Sequence, residues 1–214
     1  MFDVLVIGGG AAGVSCALVL GSALKKPYAE GKTVGILTHQ KASALQDGLY
    51  NNVYGIAPGT LGKDIMENSL KHLAATYPDV KQLPGEKAIK VEGTAGHYTV
   101  ITNKGSYHAR IVVVAVGSAG TFGIEGLTGY VMPHQKALPE KNRIQLRNDD
   151  HLVTEGIYVA GTLAGHRSQL AIAAGSGAAV ATDIMTLWNG GTQSQYHDST
   201  RKTYAFAKRG ILLY

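Results

Sequence analysis

The sequence predicts an α/β fold built on a largely parallel sheet, and three features support this prediction. An unbroken β-branched run, Asp3–Ile7, leads into a glycine cluster, a helical pattern follows, and a second apolar run covers Thr33–Leu37. Unbroken apolar runs of this kind are typical of strands buried on both faces of a parallel sheet. The N-terminal segment is therefore interpreted as a βαβ unit.

The remaining elements are predicted from apolar periodicity and from turn residues. The first helix covers Val14–Lys25 and ends in lysines before Pro27, where cations suit a helix C-terminus. The other elements are helix Leu61–Ala75, strands Lys87–Glu92, Tyr98–Thr102, Tyr107–Ala115, Arg143–Leu146 and Gly156–Gly161, and helix Gln169–Trp188. The three strands between residues 87 and 115 form a meander, and the apolar end of the third is predicted to return to the central sheet.

Composition limits the classes of protein to consider. The 214 residues are 45% hydrophobic, enough for one sizeable core, and the net charge of +5 comes from scattered basic residues, so no nucleic-acid surface is predicted. The single cysteine, Cys16, leaves no internal disulfide or CxxC pair in this sequence and favours a cytoplasmic location. The apolar stretch Val4–Leu24 holds five glycines, which argues against a membrane span or signal peptide. We predict one domain over residues 1–190 and a C-terminal tail or arm over residues 191–214.

A glycine motif between the first strand and the first helix is the strongest functional signal. Gly8, Gly10 and Gly13 form GxGxxG, with Ala11 and Ala12 between the last two glycines. In dinucleotide-binding folds these glycines allow a tight turn, a close backbone approach to a pyrophosphate, and tight packing of helix against strand. Backbone N–H groups at the helix start then face the phosphates. The alternative is an ordinary glycine-rich turn.

The position that usually holds an acidic ribose ligand carries no acid here. It falls at Thr38 or His39, at the end of the second strand. A threonine hydroxyl can hydrogen-bond a ribose, although less strongly than a carboxylate does. Dinucleotide affinity is therefore expected to be modest.

Four segments together resemble the thioredoxin-reductase-like branch of the FAD-dependent pyridine nucleotide-disulfide oxidoreductases. They are FDVLVIGGGAAGVSCALVLG, YNNVYGIAPGTLGKDIMENSLKHL, ARIVVVAVG and GIYVAGTLAGHRSQLAIAAGSGAAVA. The resemblance implies a three-layer, Rossmann-like FAD/NAD(P)-binding domain with a central parallel sheet and an antiparallel three-stranded meander. It also implies FAD as the cofactor.

The resemblance assigns further cofactor-binding positions. Gly117 ends a segment similar to the family's ATG-type turn, and Gly161 and Thr162 lie in a segment similar to its AGD flavin motif. Gln169 and Leu170 open the helix whose N-terminal amides are expected to face the flavin pyrimidine ring. Asn52 lies in the family's flavin-side loop, where an amide near the ring edge and a turn-forming asparagine are both open interpretations.

Two departures from the family pattern limit the expected activity. Full-length relatives carry an NADPH domain, usually with the CxxC pair, between the ATG-like and AGD-like motifs, whereas here only Ser118–Glu155 lies between them. This segment is too short for a second nucleotide-binding fold and contains no cysteine. Thr162 also replaces the family's Asp. The chain therefore resembles the flavin half of such an enzyme and is not expected to act as a disulfide reductase by itself.

The leading hypothesis is an FAD-dependent oxidoreductase domain that exchanges electrons with an external reductase or electron-transfer protein. No residue is assigned as a catalytic base, no metal site is predicted, and a homodimer is the assembly we expect if the chain associates. His166 and Arg167 precede the flavin-facing helix, either as cofactor contacts or as solvated loop residues. Two rivals remain, a non-catalytic flavin or nucleotide binder acting as a sensor or assembly subunit, and an NAD(P)-dependent dehydrogenase.

Overall fold

The computed structural model describes residues 1–39, 43 and 45–199 of the chain. Three α-helices are present in this part: α1 (Ala11–Ala23), α2 (Gly62–Thr76) and α3 (Leu170–Trp188). The strands are β1 (Phe2–Ile7), β2 (Val34–Thr38), β3 (Leu49–Tyr50), β4 (Thr60–Leu61), β5 (Lys81–Pro84), β6 (Ala88–Thr94), β7 (His97–Thr102), β8 (Ser106–Val114), β9 (Val131–Pro133), β10 (Ile144–Leu146), β11 (Leu152–Thr154) and β12 (Ile157–Val159).

The central sheet has the strand order β11-β12-β8-β1-β2-β5. All neighbouring pairs from β12 to β5 are parallel, and only the edge strand β11 runs antiparallel to its neighbour. Strand β8 also continues antiparallel into β7, and β7 pairs with β6, which forms the meander. The sequence-based prediction that the third meander strand returns to the central sheet is confirmed.

Alternating residues of the sheet face two separate apolar clusters, so the fold has three layers. On one side Val4, Val6 and Ile36 pack against α1 and α3. On the other side Leu5 and Ile7 pack against the meander, together with its buried residues. This alternation follows from the two-residue period of a β-strand. The predicted three-layer α/β class with a central parallel sheet and a meander is confirmed.

The long predicted elements are present, with ends displaced by a few residues. Helix α1 begins at Ala11, directly after the glycine cluster, rather than at Val14. The sequence reading missed β5, because KQLP has no apolar run and ends in proline. Strand β5 lies at the edge of the sheet, the place where a strand tolerates proline. The short strands β3, β4, β9 and β11 were also not predicted, because each has only two or three residues and is defined by pairing with another short strand.

Helix α3 is 19 residues long, with a mean hydropathy of 1.5, and by length and composition alone it could cross a membrane. Its buried side, however, packs on the core, with Val180, Ala181, Ile184 and Met185 fully enclosed. A core helix of an α/β domain passes the same test. After α3 the chain folds back, and Tyr196 packs against the α1 side of the core. Residues 200–214 of the predicted tail lie outside the described part, and its assignment stays a prediction.

Candidate functional site

Backbone hydrogen bonds align the carboxyl ends of four parallel strands at one edge of the sheet. The N–H of Gly8 donates to the Leu37 carbonyl at 3.0 Å, which joins the ends of β1 and β2. The N–H of Ala115 donates to Ile7 at 2.8 Å, and that of Ala160 donates to Val114 at 3.0 Å. Strand β2, which follows β1 in the chain, lies on one side of β1 in the sheet, and β8 lies on the other side of β1. This edge is therefore a topological switch point, where open α/β sheets bind ligands.

The glycine motif forms a compact turn at this edge. Gly8 has φ +122°, a left-handed conformation that side chains rarely adopt. A Cβ atom on Gly13 would lie 1.8 Å from the carbonyl oxygen of Gly8, so only glycine lets α1 start this close to β1. Both positions do what the sequence-based interpretation assigned to them. The turn thereby places the start of α1 over the sheet edge.

Among the residues that the structure describes, none fills the outer side of the same turn. Gly10 is the N-cap of α1, and the nearest heavy atom to a Cβ built there is Ser43 Oγ at 3.9 Å. The first N–H groups of an α-helix have no intrahelical partner and carry a partial positive charge. A backbone cradle that leaves room beside such amides fits a diphosphate. Gly117, after β8, has φ +81° and is likewise open on its Cβ side.

The start of α1 makes two very close contacts, one with α3 and one with the turn that follows β12. A Cβ atom on Gly177 would lie 1.9 Å from the carbonyl oxygen of Ala12. A Cβ atom on Gly161 would lie 2.9 Å from the Ala12 side chain. The start of α1, the end of β12 and α3 are therefore locked together. Residues far apart in the sequence, Ala12 and Gly161, thus occupy one site.

The residues predicted to meet the ribose lie at the end of β2, and the residue predicted to lie near the flavin ring is in the loop between β3 and β4. Thr38 ends β2 and is buried, and its carbonyl accepts the N–H of Gly85 at 3.1 Å. His39 follows it and is half-buried. Asn52 is exposed in the loop between β3 and β4, beside the start of α2. Its neighbour Asn51 accepts the N–H of Gly59 at 2.8 Å, a turn-stabilising contact within that loop. A role for Asn52 near the ring edge stays a prediction.

The predicted residues at the start of α3 occupy its first turn. Gln169 is the N-cap and is exposed, while Leu170 is half-buried. Thr162 lies in the turn that follows β12, and its carbonyl lies 3.1 Å from His134 Nε2. This turn, residues 161–166, is called the 161–166 turn below. Gly161 in this turn lies against Ala12 at the start of α1.

A cluster formed by His151 and His166, together with Ser176, lies under the 161–166 turn, and it was not predicted from the sequence. His151 Nε2 lies 3.0 Å from His166 Nε2 and 3.0 Å from Ser176 Oγ. The Ser176 hydroxyl accepts the N–H of Gly161 at 2.8 Å. His166 is therefore not a solvated loop residue, whereas its neighbour Arg167 is exposed. No local pattern marks this cluster, because its members come from separate elements.

Burial changes the proton affinity of this cluster. Burial lowers the pKa of His151 below its ordinary value, against the opposing attraction of the Asp150 carboxylate. Burial also lowers the pKa of His166, and the charges of His151 and Lys136 add to that effect. The neutral forms of both rings are therefore favoured.

Two grooves in the described part of the chain lie away from the glycine turn. One of about 520 Å³ runs along α2 beside Met66 and Leu70. Another of about 430 Å³ lies between the meander and β12, beside Tyr98 and Tyr130. An elongated ligand bound along an open sheet edge needs no deep cavity, and the backbone geometry at the glycine turn fits such a ligand.

Comparison with known proteins agrees with this geometry. The sequence profile described as "Pyridine nucleotide-disulphide oxidoreductase" matches residues 2–161, about three quarters of the chain. No curated protein sequence matches. Among solved structures, a thioredoxin reductase from Gloeobacter violaceus superposes with a TM-score of 0.72 at 14% identity, covering 94% of this chain and 99% of that one.

Two further structures show the same fold. An oxidoreductase from Agrobacterium tumefaciens has a TM-score of 0.66 at 14% identity, covering 87% of this chain and 98% of that one. A ferredoxin-flavin thioredoxin reductase from Clostridium acetobutylicum has a TM-score of 0.64 at 16% identity, covering 88% of this chain and 98% of that one. At these identities the comparisons establish the fold.

Proposed function

Because this chain belongs to the pyridine nucleotide-disulphide oxidoreductase family, we propose that it binds FAD across the switch point and works as a flavin-dependent oxidoreductase domain. The observation that carries the proposal is the meeting of the Gly8–Gly13 turn with Gly161 of the 161–166 turn and with Gly177 of α3 at one sheet edge. When bound, FAD supplies hydride or single-electron chemistry that the side chains do not need to perform.

The protein's part in this proposal is to hold and orient the cofactor. The amides of Ala11, Ala12 and Gly13 at the start of α1 bind the diphosphate, and the open Gly10 position admits it. The amides at the start of α3, from Leu170 onward, face the pyrimidine side of the ring system. A helix N-terminus favours the negative charge that develops there on reduction.

Neutral side chains stand at the two positions where the family pattern has carboxylates. Thr38 or His39 meets the ribose and Thr162 meets the ribityl and diphosphate side. Hydrogen bonds to neutral hydroxyls are weaker than those to carboxylates, so FAD exchanges with solvent instead of being held permanently. Gly117 and Asn52 complete the proposed set, beside the flavin ring.

The electron donor or acceptor in this proposal is a separate reductase or electron-transfer protein in the cytoplasm. The segment between β8 and β12, residues 115–156, holds the short hairpin of β9 and β10 and the edge strand β11, and it is too short for a second nucleotide-binding fold. The sequence contains a single cysteine, which is fully buried. The name of the Clostridium acetobutylicum relative pairs this fold with ferredoxin, which supports a protein donor.

A second candidate function is a flavin-binding sensor or assembly subunit without turnover, and a homodimer would suit that role. The observation that favours it is the replacement of both carboxylate positions by Thr38 and Thr162. The two functions separate on one measurement. If bound FAD is reduced neither by NADH or NADPH nor by a reduced ferredoxin under anaerobic conditions, the sensor function stands and the oxidoreductase function is withdrawn.

The test of FAD binding uses Gly10→Val. The backbone at Gly10 is extended, with φ −82° and ψ −174°, and the position is open, so valine fits the protein itself. The new side chain fills the space assigned to the diphosphate, and we expect FAD affinity to fall at least about tenfold, or about 1.4 kcal/mol. Flavin fluorescence quenching on titration with the protein measures the affinity.

The matched control is Gly105→Ala, in the turn between β7 and β8, where a Cβ atom meets nothing within 4 Å. This variant should bind FAD like the natural protein. If the Gly10→Val variant is folded by circular dichroism and binds FAD as tightly as the natural protein does, the diphosphate does not bind at the glycine turn.

A further inference from the structure

The histidine cluster under the 161–166 turn has no role in the functions above. His151 is only 8% exposed, and its backbone has φ +74°, a left-handed conformation uncommon for this residue type. His151 and Asp150, with φ +42°, are the central residues of a tight turn whose ends, Asp149 and Leu152, hydrogen-bond to each other, and this turn fixes the backbone that carries the His151 ring. The His151 and His166 rings lie 5.1 Å apart between centroids, with a tilt of 40°. The arrangement joins two titratable rings directly beneath Gly161.

Two imidazole nitrogens this close can share one hydrogen but cannot carry one each. In the neutral pair, one ring donates its Nε2–H to the Nε2 of the other across 3.0 Å. A first added proton enters Nδ1 of the donating ring and leaves that hydrogen bond intact. A second proton must enter the accepting Nε2. Two hydrogens then point at each other and two positive charges lie on adjacent rings, so the rings separate.

We propose that His151 and His166 act as a proton-controlled clamp that positions the Gly161–Thr162 segment for the diphosphate cofactor and opens when both rings are protonated. This inference rests on the proposed function. His151 contacts the Ser176 hydroxyl at 3.0 Å, and that hydroxyl holds the Gly161 amide. The clamp residues position the segment and are not themselves catalytic.

A third histidine secures the other end of the same turn. His134 Nε2 lies 3.1 Å from the Thr162 carbonyl and 3.2 Å from the His166 carbonyl. Its Nδ1 accepts the N–H of Lys136 at 3.1 Å. This pattern assigns the Nε2–H tautomer, which donates to both carbonyls. The backbone of the 161–166 turn is therefore tied down at Gly161, at Thr162 and at His166.

The surroundings set where the protons go. The Asp150 carboxylate lies 3.7 Å from His151 Nδ1 and attracts the first proton to that nitrogen. Burial of both rings and the positive charge at Lys136 oppose the second proton. Three charged or titratable groups act on the histidine pair: Asp150 beside His151, and His134 and Lys136 after β9. Asp183 on α3 interacts in turn with Asp150.

The expected consequence is a linkage between protons and cofactor. If FAD binds only while the clamp is closed, the second proton and FAD exclude each other. Below the pKa for this second proton, FAD affinity falls about tenfold per pH unit. The fall begins below about pH 6.5, the ordinary histidine value, because the site resists protonation.

The test measures FAD affinity by flavin fluorescence between about pH 7.5 and pH 5 for three proteins. We expect the natural chain to lose affinity with the slope above, whereas His166→Gln, which has no second ring to protonate, should vary less than about twofold. His72→Gln, on the exposed face of α2, is the matched control and should follow the natural chain. A flat profile for the natural chain, or an unchanged slope in His166→Gln, overturns the proposal.

An independent readout separates this proposal from FAD binding itself. Imidazole nitrogen NMR of the protein without FAD should show His151 and His166 taking up one proton together, with a second uptake that shifts the Gly161 amide. Independent titration of the two rings overturns the clamp. If FAD binds at no pH, the proposed function fails while this titration still decides the clamp. If His166→Gln does not fold, Ser176→Ala replaces it and should abolish the shift of the Gly161 amide.

Discussion

Replacing Gly177 with alanine should separate two helices that the fold requires to touch. The added Cβ atom would lie 1.9 Å from the carbonyl oxygen of Ala12 and 2.7 Å from its carbonyl carbon. Ordinary contacts begin at about 3.4 Å, so α1 and α3 would have to move apart by about 1.5 Å. Both contacting groups are backbone, and no flexible side chain can absorb the change.

The free energy of unfolding should fall by a measurable amount. Overpacking of a core costs roughly 1–3 kcal/mol, and a contact between two backbones lies at the upper end of that range. The higher helix propensity of alanine returns about 1 kcal/mol. The net loss of about 2 kcal/mol lowers Tm by about 4–8 °C for a chain of this size.

Gly175 provides the matched control in the same helix. It is exposed, and a Cβ atom there meets nothing within 4 Å. Gly175→Ala should therefore gain about 1 kcal/mol from helix propensity alone. Urea and thermal denaturation followed by circular dichroism measure both variants in the absence of FAD. If Gly177→Ala is as stable as Gly175→Ala, the close α1–α3 contact is not a property of the folded protein and the reasoning fails.

Three further outcomes are expected. Complete burial raises the pKa of the Cys16 thiol to about 12, so iodoacetamide at about pH 8 should label this thiol only when the protein unfolds. Rapid labelling of the folded protein would contradict the burial of Cys16. The folded-state pKa values of His151 and His166 lie below their unfolded value, so the unfolded chain binds more protons below about pH 6.5. The urea midpoint should accordingly fall as the pH is lowered from about 7 to 5.5, and an unchanged midpoint would contradict the buried pair. Tyr196→Ala removes a ring that packs on the core with its centroid 3.7 Å from the Lys26 ammonium, and it should lower the free energy of unfolding by about 1 kcal/mol. Tyr54 is fully exposed, so Tyr54→Ala is the control and should leave stability unchanged. Equal stability of the two variants would show that the segment around Tyr196 does not pack on the core.

The parts of the fold that were predicted correctly have local causes. Unbroken apolar runs indicate β1, β2 and the end of β8 as buried strands, and the glycine motif indicates the turn before α1. The missed strand β5 is short and polar, and it is a strand because it pairs with β2 at the sheet edge. The hairpin of β9 and β10 is likewise defined by pairing, and only its second strand was anticipated.

The candidate site divides in the same way. Gly8 and Gly13 were identified from spacing, because their conformation and close approach are demands of the local backbone. The positions of Gly117, Gly161 and Thr162 required a family resemblance, since each follows a strand whose neighbours only the sheet order reveals.

The sequence alone determined the α/β class with its parallel sheet and the glycine turn, since each is written in adjacent residues or in their spacing. Only the tertiary structure decided that His151, His166 and Ser176 meet beneath Gly161, although 15 residues separate the two histidines and 25 separate His151 from the serine. The physical reason is that periodicity reports what one segment buries. Contacts between side chains depend on how separate segments pack, and Ser176 meets His151 because α3 lies beside the turn that follows β12.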